Sequence, residues 1–251
     1  MKISVAVITY NNEKYIRPQL DTILENIGPD DEVVVSDDHS ADGTWSILQE
    51  YAAKDPRFHI YQIVHAGCNG NFENALSHCT GDLIFLSDGD NVWEPQKVET
   101  VKKAFESNPK VWMVMHDCSV VTGDLQPIAP SVYATRHSKP GVFRNIMKTA
   151  YVGSCIAFKK ELLKRILPFP KKMPIFYDEW IGLEATKHGK VIFIPDILLK
   201  WRRFPGSAST QFITQDGQVT THKKNPRKGT FKRNWFRIWT RVRKLGWALF
   251  R

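Results

Sequence analysis

The first third of the chain alternates between short apolar segments and segments in which apolar residues recur at helical spacing. The apolar segments are rich in β-branched residues and lie at residues 2–8, 33–35, 58–64 and 83–86. The intervening segments predict three amphipathic helices, of which the first ends at Gly28-Pro29 and the third begins at Phe72. This β-α-β-α-β-α-β order predicts an α/β fold in which helices flank a parallel sheet.

Polar loops follow three of the four predicted strands. Thr9-Tyr10-Asn11 follows the first strand, Asp37-Asp38 the second and Asp88-Gly89-Asp90 the fourth. Because the carboxyl ends of parallel strands meet at one edge of the sheet, where ligands bind, these loops predict a single cleft. The first loop contains neither the glycine-rich motif that binds dinucleotides nor a phosphate-binding loop that ends in Gly-Lys-Ser/Thr. The negative charge of a phosphate ligand would therefore have to be neutralised in another way.

The Asp88-Gly89-Asp90 motif predicts a site for a divalent cation. Two carboxylates, with the Asn91 amide beside them, are oxygen ligands of the kind that hard cations prefer. We expect Asp90 to contact the cation directly. The alternative is a solvated turn, since Asp-Gly and Gly-Asp are common turn dipeptides.

Length and composition restrict the class of protein. With 251 residues, 42% of them hydrophobic, the chain can form one large α/β domain or two small ones. It contains no run of roughly 18 apolar residues, the length that a membrane-spanning helix needs, and its first residues suit a strand better than a signal peptide. We therefore expect a cytoplasmic protein. Its cysteines have no metal-site spacing and are expected to be reduced thiols, namely Cys68, Cys79, Cys118 and Cys155.

The net charge of +9 is concentrated near the C-terminus. Residues 222–251 contain eleven Lys or Arg and no acidic residue, whereas the rest of the chain has 24 basic and 26 acidic residues. Apolar residues at helical spacing in 233–251, including three tryptophans, predict an amphipathic helix that lies on an anionic membrane. Basic and aromatic residues also suit nucleic acids, but the tryptophans favour the membrane. We expect residues 223–251 to bind the inner face of the cell membrane and no nucleic acid.

Three segments together resemble a known family. They are residues 7–11, Val-Ile-Thr-Tyr-Asn; residues 36–44, Ser-Asp-Asp-His-Ser-Ala-Asp-Gly-Thr; and residues 81–93, Gly-Asp-Leu-Ile-Phe-Leu-Ser-Asp-Gly-Asp-Asn-Val-Trp. Their order and spacing resemble the inverting nucleotide-sugar glycosyltransferases of the GT-A fold, family 2, and look most like the bacterial rhamnosyltransferase-like subgroup. The resemblance implies a Rossmann-like, mostly parallel sheet flanked by helices. It also implies a nucleotide-sugar half at 1–95 and an acceptor half at 96–210, whereas charge and composition predict a basic helical tail at 211–251.

The resemblance implies roles for the residues of the predicted cleft. Asp88 and Asp90 would bind Mn²⁺ or Mg²⁺ and the pyrophosphate of a UDP- or dTDP-sugar, and Asp37 or Asp38 would contact the base. The other implied substrate contacts in this half are Thr9, Tyr10, Asn11, Glu13 and Asn74. Two positions depart from the family pattern: His39 stands where glycine is usual, and Asn91 where an acidic residue is common.

In the acceptor half, Tyr177-Asp178-Glu179-Trp180 opens a predicted amphipathic helix. The family has its general base at such a place, so the resemblance implies that Asp178 takes the proton of the acceptor hydroxyl. Glu179 is the second candidate, and both Glu179 and Trp180 are implied substrate contacts. Alternatively, Asp178 is only the N-cap of the helix, a common position for aspartate.

The remaining acceptor half is less patterned. Residues 122–141 predict an irregular, mobile acceptor loop, residues 151–158 a strand whose first small residues let a sugar approach, and residues 191–195 and 197–201 two closing strands. Many family members have a histidine where Phe204 stands. The resemblance implies that this histidine helps to hold the metal or the diphosphate. Its absence leaves that task to Arg202 or Arg203, or leaves it undone, and the alternative is that the two arginines form a plain surface pair.

These features predict an enzyme that transfers a sugar from a nucleotide diphosphate-sugar to a glycan or lipid-linked saccharide in cell-surface polysaccharide synthesis. The implied reaction is a metal-assisted single displacement with inversion. One alternative is a sugar nucleotidyltransferase, which requires a glycine-rich basic loop after the first strand. Another is a non-catalytic membrane or nucleic-acid adaptor whose acidic pairs are only turns. Metal-dependent binding of a nucleoside diphosphate separates these functions.

Overall fold

The computed structural model describes residues 1–64, 66–141, 145, 149–171 and 175–205, which form an α/β fold around one mixed sheet. The strands are β1 (Ile3–Thr9), β2 (Glu32–Asp37), β3 (Phe58–Gln62), β4 (Leu83–Asp88), β5 (Val92–Trp93), β6 (Val111–Thr122), β7 (Pro127–Ala129), β8 (Ile156–Lys159) and β9 (Lys190–Arg203). The helices are α1 (Ile16–Leu24), α2 (Thr44–Lys54), α3 (Gly67–Ser77), α4 (Lys97–Glu106), α5 (Val132–Arg136), α6 (Leu163–Ile166) and α7 (Tyr177–His188).

The sheet has two parts that differ in strand direction. Its strand order is β3-β2-β1-β4-β8-β6-β9-β5, and β7 pairs with β6. Strands β3, β2, β1 and β4 are parallel neighbours, whereas β8 runs antiparallel to both β4 and β6. The predicted α/β fold is therefore confirmed, and antiparallel pairing enters with the second half of the chain.

The parallel part of the sheet is covered because its strands are apolar along most of their length. Every residue of β1 and β2 is buried, as expected for parallel strands with both faces packed. Helix α1 contributes Ile16, Leu20 and Ile23, which lie on one helical face, to the same core. This packing fixes the strand ends at which the polar loops begin.

Helix α3 begins at Gly67, ahead of its predicted start at Phe72. The backbone N–H groups of Ala66 and Gly67 donate hydrogen bonds to the Asp38 carboxylate at 2.8 and 2.9 Å. These bonds stabilise a first turn that has no apolar pattern. The prediction is thus right in the type of element and wrong in where it begins.

Residues 122–141 contain regular structure, so the prediction of an irregular loop is wrong. The segment includes β7 and α5, and Asp117 on β6 accepts hydrogen bonds from the N–H groups of Val132 and Tyr133 at 3.1 and 3.0 Å. The Tyr133 hydroxyl donates to the Met115 carbonyl at 2.8 Å. Hydrogen bonds to β6, not an apolar helix face, hold this segment in place. The spacing of apolar residues in the sequence therefore gives no sign of its structure.

Two further predictions of strands are corrected. The two predicted closing strands form one strand, β9, which pairs in parallel with β6 and shifts register between His116 and Asp117. The strand predicted over 151–158 begins only at Ile156, because Gly153–Cys155 form a turn of 3-10 helix.

The basic tail predicted at 211–251, with its membrane-binding segment 223–251, lies outside the described residues. Within the described ranges, every helix is too short or too polar to cross a bilayer. The proposed boundary at residue 210 stays a prediction.

Glu32 joins the amino ends of β1 and β2 to the residues before β4. Its buried carboxylate accepts hydrogen bonds from the Lys2 ammonium at 2.7 Å and the Ser4 hydroxyl at 2.5 Å. The N–H and hydroxyl of Thr80 add two more, at 2.6 and 2.7 Å. Burial favours a higher pKa for Glu32, but the donors outweigh it and lower the pKa to about 2.

We expect Glu32→Gln to lower the free energy of unfolding at pH 7 by about 1.5–3 kcal/mol, because hydrogen bonds to a charged group are lost. The folded carboxyl has the lower pKa, so its contribution is complete above the unfolded pKa of about 4.3 and is lost as the pH falls toward 2. Urea titrations at pH 7 and pH 3 measure this, and the difference from wild type should be smaller at pH 3. Glu99→Gln, on the exposed side of α4, is the control. Identical urea midpoints for Glu32→Gln and wild type at pH 7 would contradict the prediction.

Candidate functional site

The loops after β1 and β2 are bound to each other at the carboxyl edge of the sheet. The Thr9 hydroxyl donates to Asp37 Oδ1 at 2.8 Å, and the Ala41 N–H donates to Asn11 Oδ1 at 2.8 Å. The structure thus brings together two loops that the sequence placed on one rim.

Glu13 and Tyr10, both in the loop after β1, differ in whether their side chains are bonded within the protein or exposed. Glu13 Oε2 accepts a hydrogen bond from the Gly43 N–H at 2.9 Å, at the start of α2. The Tyr10 side chain is 55% exposed. Among the residues predicted to lie near the nucleotide, Tyr10 therefore presents an accessible ring, whereas Glu13 holds a helix terminus.

The two aspartates after β2 bind the protein itself. Asp37 is fully buried and accepts hydrogen bonds from Thr9, from the Ser40 N–H at 2.9 Å and from the Gln62 amide at 3.2 Å. Asp38 is 8% exposed and holds the start of α3. Of the two predicted contacts to a base, Asp38 is therefore the more accessible, although both carboxylates are bonded within the protein.

His39 adopts a left-handed backbone conformation, with φ of 56°. Glycine adopts this conformation at little cost, whereas a residue with a Cβ is disfavoured there. His39 therefore adopts the backbone conformation that a glycine would favour at this position.

The acidic motif is held by Ser154, which precedes β8, and by Tyr177 of α7. Ser154 donates its hydroxyl to Asp88 Oδ2 at 2.7 Å, and the Tyr177 hydroxyl lies 3.4 Å from Asp88 Oδ1. In the described part of the chain, no side chain donates a hydrogen bond to Asp90, which is partly exposed. Asp90 is thus the freer carboxylate, in line with its predicted direct contact with a cation.

Several charged groups act on the Asp90 carboxyl. Burial, together with the negative charge of Asp88, raises the pKa of Asp90 to about 7, and Arg203 and Arg202 oppose this rise. The Arg203 guanidinium lies 3.3 Å from the centre of the Trp201 ring and is 4% exposed. Its Nε has no hydrogen-bond partner among the described residues. Arg203 is therefore placed to receive an anion beside the acidic motif.

The donor set fits a divalent cation that also binds phosphate. Within residues 1–205, leaving aside the undescribed gaps, no three His, Cys, Asp or Glu side chains form a metal-binding group. Asp90 and Asp88 supply two carboxylates, and a cation would relieve the repulsion that raises the pKa of Asp90. Cations of the magnesium type are commonly held by one or two carboxylates with substrate phosphates and water. The residues fit such a cation if a phosphate ligand completes its coordination.

Asp178 lies in the first turn of α7, directly after the tyrosine that contacts Asp88. The N-cap of α7 is Phe176, so the alternative interpretation of Asp178 as the helix N-cap is wrong. The structure therefore brings the predicted base to the acidic motif.

The pKa of Asp178 is raised to about 7, chiefly because its carboxyl is buried. The charges of Glu179 and Asp88 add to the rise, and the Arg136 guanidinium opposes it. A carboxyl with this pKa can accept a proton at neutral pH and is a stronger base than an exposed aspartate.

The predicted space for a sugar at Gly153 is occupied. A Cβ at Gly153 would lie 1.9 Å from the Tyr177 hydroxyl oxygen. The small residue is needed for close packing of Tyr177, so the prediction of a sugar approaching the backbone here is wrong.

Two of the predicted substrate contacts bond within the protein. Trp180 is 5% exposed and its indole N–H donates to the Ile166 carbonyl at 3.1 Å. The Asn74 amide donates to the Ser36 hydroxyl at 2.9 Å, between α3 and β2. The structure gives Trp180 and Asn74 packing roles instead of bringing them to the acidic motif.

Phe204 packs against Tyr15, with ring centroids 4.7 Å apart. The Arg202 guanidinium lies 4.9 Å from the centre of the same Tyr15 ring and donates to the Gly123 carbonyl at 2.5 Å. Since Arg202 is 5% exposed, the alternative of a plain surface arginine pair is wrong. Arg202 fastens the end of β9, so Arg203 is the better candidate for a diphosphate contact.

Sequence reasoning missed three residues of this site. Arg136 lies 5.1 Å from the Trp201 ring centre and acts electrostatically on Asp178, but it belongs to a segment predicted to be irregular. Ser154 was considered only for its small size, and Lys97 had no motif to mark it. Each acts through contacts between distant parts of the chain, for which the sequence has no local signal.

Proteins of known family share this fold. The family model described as "Glycosyl transferase family 2" matches residues 4–167. An uncharacterized protein of Mycobacterium tuberculosis is 32% identical over 209 residues, which cover 80% of this chain and 58% of that protein. The GalNAc(5)-diNAcBac-PP-undecaprenol beta-1,3-glucosyltransferase of Campylobacter jejuni is 32% identical over 114 residues, or 44% of this chain and 37% of that enzyme.

Solved structures also resemble the chain. S. aureus TarS 1-349 in complex with UDP-GlcNAc has a TM-score of 0.66 at 20% identity, covering 82% of this chain and 60% of TarS 1-349. Mannosyltransferase PcManGT from Pyrobaculum calidifontis, in complex with GDP-Man and Mn²⁺, has a TM-score of 0.60 at 25% identity, covering 82% and 58%. This chain spans less than two thirds of the length of these relatives. Because the family model matches more than half of the sequence, the chain belongs to glycosyl transferase family 2.

Proposed function

We propose that the protein is an inverting, metal-dependent glycosyltransferase that transfers a hexose or deoxyhexose from a UDP- or dTDP-sugar to a saccharide or lipid-linked acceptor. The observation that carries this proposal is the grouping of the Asp88 and Asp90 carboxylates with Asp178 at the carboxyl edge of the sheet. Family membership supports sugar transfer. A role in cell-surface polysaccharide synthesis is supported by the undecaprenol-linked acceptor in the name of the Campylobacter jejuni relative.

Donor binding uses both signs of charge at the site. Asp90 and Asp88 would hold Mn²⁺ or Mg²⁺, which would neutralise the diphosphate and make it a better leaving group. The buried guanidinium of Arg203 pairs with a phosphate oxygen on the side facing the acidic motif. Tyr10 and Asp38, at the ends of β1 and β2, face the nucleoside.

Sugar transfer requires one base and one displacement. As the acceptor hydroxyl attacks the anomeric carbon, a new C–O bond forms and the bond to the diphosphate breaks. Asp178 takes the hydroxyl proton, and the nucleoside diphosphate leaves on the opposite side, which inverts the configuration. Arg136 helps to keep Asp178 ionised before the reaction.

The alternative functions have less support. A sugar nucleotidyltransferase needs a basic, glycine-rich loop after β1, whereas Asn11 and Glu13 of this loop bond to residues 41 and 43. An adaptor with merely structural acidic turns does not account for the raised pKa of the Asp178 carboxyl, nor for an Arg203 Nε that has no hydrogen-bond partner among the described residues.

Calorimetry with nucleoside diphosphates tests the donor site. We expect UDP or dTDP to bind more tightly with Mn²⁺ than without it, and Asp90→Ala to weaken the Mn²⁺-dependent binding at least about tenfold, since even indirect supports of a metal commonly contribute this much. Asp30→Ala, at the opposite edge of the sheet, is the control and should bind as wild type does. Equal binding by Asp90→Ala and wild type would exclude Asp90 as a ligand.

Replacement of Asp178 tests the base. We expect Asp178→Asn to lower kcat about 10²–10⁴-fold, the usual contribution of a general base, while nucleotide binding is retained. The pKa of the wild-type base is raised, so the carboxyl is protonated and inactive below it. With saturating Mn²⁺ holding Asp90 ionised, kcat should therefore rise with pH through about 7.

Glu179→Gln serves as the matched control for this experiment. It should reduce kcat much less than Asp178→Asn, and it should shift the midpoint of the pH profile downward, because a negative charge beside Asp178 is removed. A large loss of kcat in Glu179→Gln with an active Asp178→Asn would assign the base to Glu179.

The proposal includes attachment of residues 223–251 to the inner face of the membrane, as a tail to a transferase domain at 1–210. Each basic residue near an anionic surface contributes on the order of 1 kcal/mol, and the segment has eleven. We expect the full chain to sediment with phosphatidylserine-containing liposomes and a chain ending at residue 222 to stay in the supernatant. Equal sedimentation of both chains would refute this role of the tail.

A further inference from the structure

Lys97, on α4, has its side chain enclosed in the protein behind the acidic motif. It is 1% exposed, its ammonium donates a hydrogen bond to the Ser154 carbonyl at 2.8 Å, and it lies 3.8 Å from the centre of the Trp93 ring. Lysine is almost never fully buried without a partner. In the described part of the chain, the Ser154 carbonyl is the hydrogen-bond acceptor seen for this ammonium.

Ser154 connects Lys97 to the acidic motif. Its hydroxyl donates to Asp88 Oδ2 at 2.7 Å and accepts from the Asp88 N–H at 3.1 Å. It also accepts from the Asn91 amide at 3.1 Å, and Asn91 Oδ1 accepts in turn from the Arg202 N–H at 3.1 Å. The single Ser154 residue therefore fixes both ends of the segment 88–91.

The stability of the fold does not by itself explain why the buried residue at position 97 carries a charged ammonium group. Burial disfavours the charged form and lowers the pKa of Lys97 to about 7, against the opposing influence of the Cys155 and Cys118 thiols and of Asp88. A methionine of similar shape would fill the same volume without desolvating a charge, which offsets at least part of the cost of leaving the Ser154 carbonyl without this donor. The contact with Ser154 is what a methionine would lack.

We propose that Lys97 is a positioning residue for the acidic motif: by holding the Ser154 carbonyl, it orients the Ser154 hydroxyl that fixes the Asp88 carboxylate and the Asn91 amide. The inference rests on the proposed function only in that the motif binds a cation and a diphosphate. The positioning itself is a property of the free protein and is measured without either ligand.

The first test is hydrogen exchange of the full chain without ligands. In Lys97→Met, we expect the Asp88 N–H, which donates to Ser154, to exchange about tenfold faster or more, because the local bond is weakened while global stability is kept. Lys103→Met, which removes the same charge from the exposed side of α4, is the control and should exchange as wild type does. An unchanged exchange rate at Asp88 in a folded Lys97→Met overturns the proposal.

The second test is binding of Mn²⁺, followed by electron paramagnetic resonance in the presence of UDP, dTDP or GDP. In Lys97→Met, we expect Mn²⁺ affinity to fall about 10–100-fold, the usual effect of losing a residue that orients a ligand, with an unchanged or higher Tm. A Lys97→Met protein with wild-type Mn²⁺ affinity overturns the proposal.

Ser154→Ala is a second variant that tests the same contacts if Lys97→Met does not fold. It removes only the hydroxyl, so it should accelerate exchange at Asp88 and weaken Mn²⁺ binding as the lysine variant does. Wild-type exchange and binding in Ser154→Ala would also overturn the proposal. If wild-type protein binds no Mn²⁺ with any of the nucleotides, the proposed function fails, whereas the exchange measurement still decides the role of Lys97.

Discussion

The arrangement of the site depends on carboxyl groups whose charged form is disfavoured, first by loss of water and then by the negative charge of neighbouring carboxylates. Burial and the charge of Asp88 raise the pKa of Asp90 to about 7, and burial with neighbouring carboxylates does the same for Asp178. Left unbalanced, such a group would be neutral at physiological pH and useless as a ligand or a base. Two arginines supply the opposing charge: Arg203 faces the acidic motif and Arg136 acts on Asp178. Both lie against the Trp201 ring.

Local chemistry made the nucleotide half predictable. In β1, β2 and β4, apolar runs end in polar residues, and a parallel sheet must align those ends, so the cleft follows from the order of elements. The same reasoning brought Asp88 and Asp90 to the cleft. This reasoning from the sequence could not separate residues that face a ligand from residues that hydrogen-bond within the loops. Asp37 and Asp38, for example, are adjacent and chemically identical. Their different burial depends on which neighbours surround each carboxylate.

The acceptor half was predicted less well because its order comes from long-range polar contacts. Asp117 on β6 holds the start of α5 and thereby brings Arg136 near Asp178. Ser154 holds Asp88 across 66 residues of sequence. Neither contact depends on regularly spaced apolar residues. The apolar spacing that predicted the first strands and helices therefore could not predict these contacts. The helix that begins at Tyr177 was expected from the sequence, whereas the role of Asp178 as the base stays a prediction from the family resemblance.

The phenylalanine at position 204, where the family resemblance implied a histidine, has a consequence for how the proposed enzyme would bind its cation. Phe204 packs on Tyr15, and the Arg202 guanidinium lies over the same ring, so the end of β9 has a structural role. In the proposed function, a cation would then be left with two carboxylates and the oxygens of the donor. A cation held in this way would bind weakly without the diphosphate, and the diphosphate would bind weakly without the cation. Because coupling between two ligands is reciprocal, each must strengthen the other by the same factor. A preformed acidic motif, held in place by Ser154, lowers the cost of assembling both.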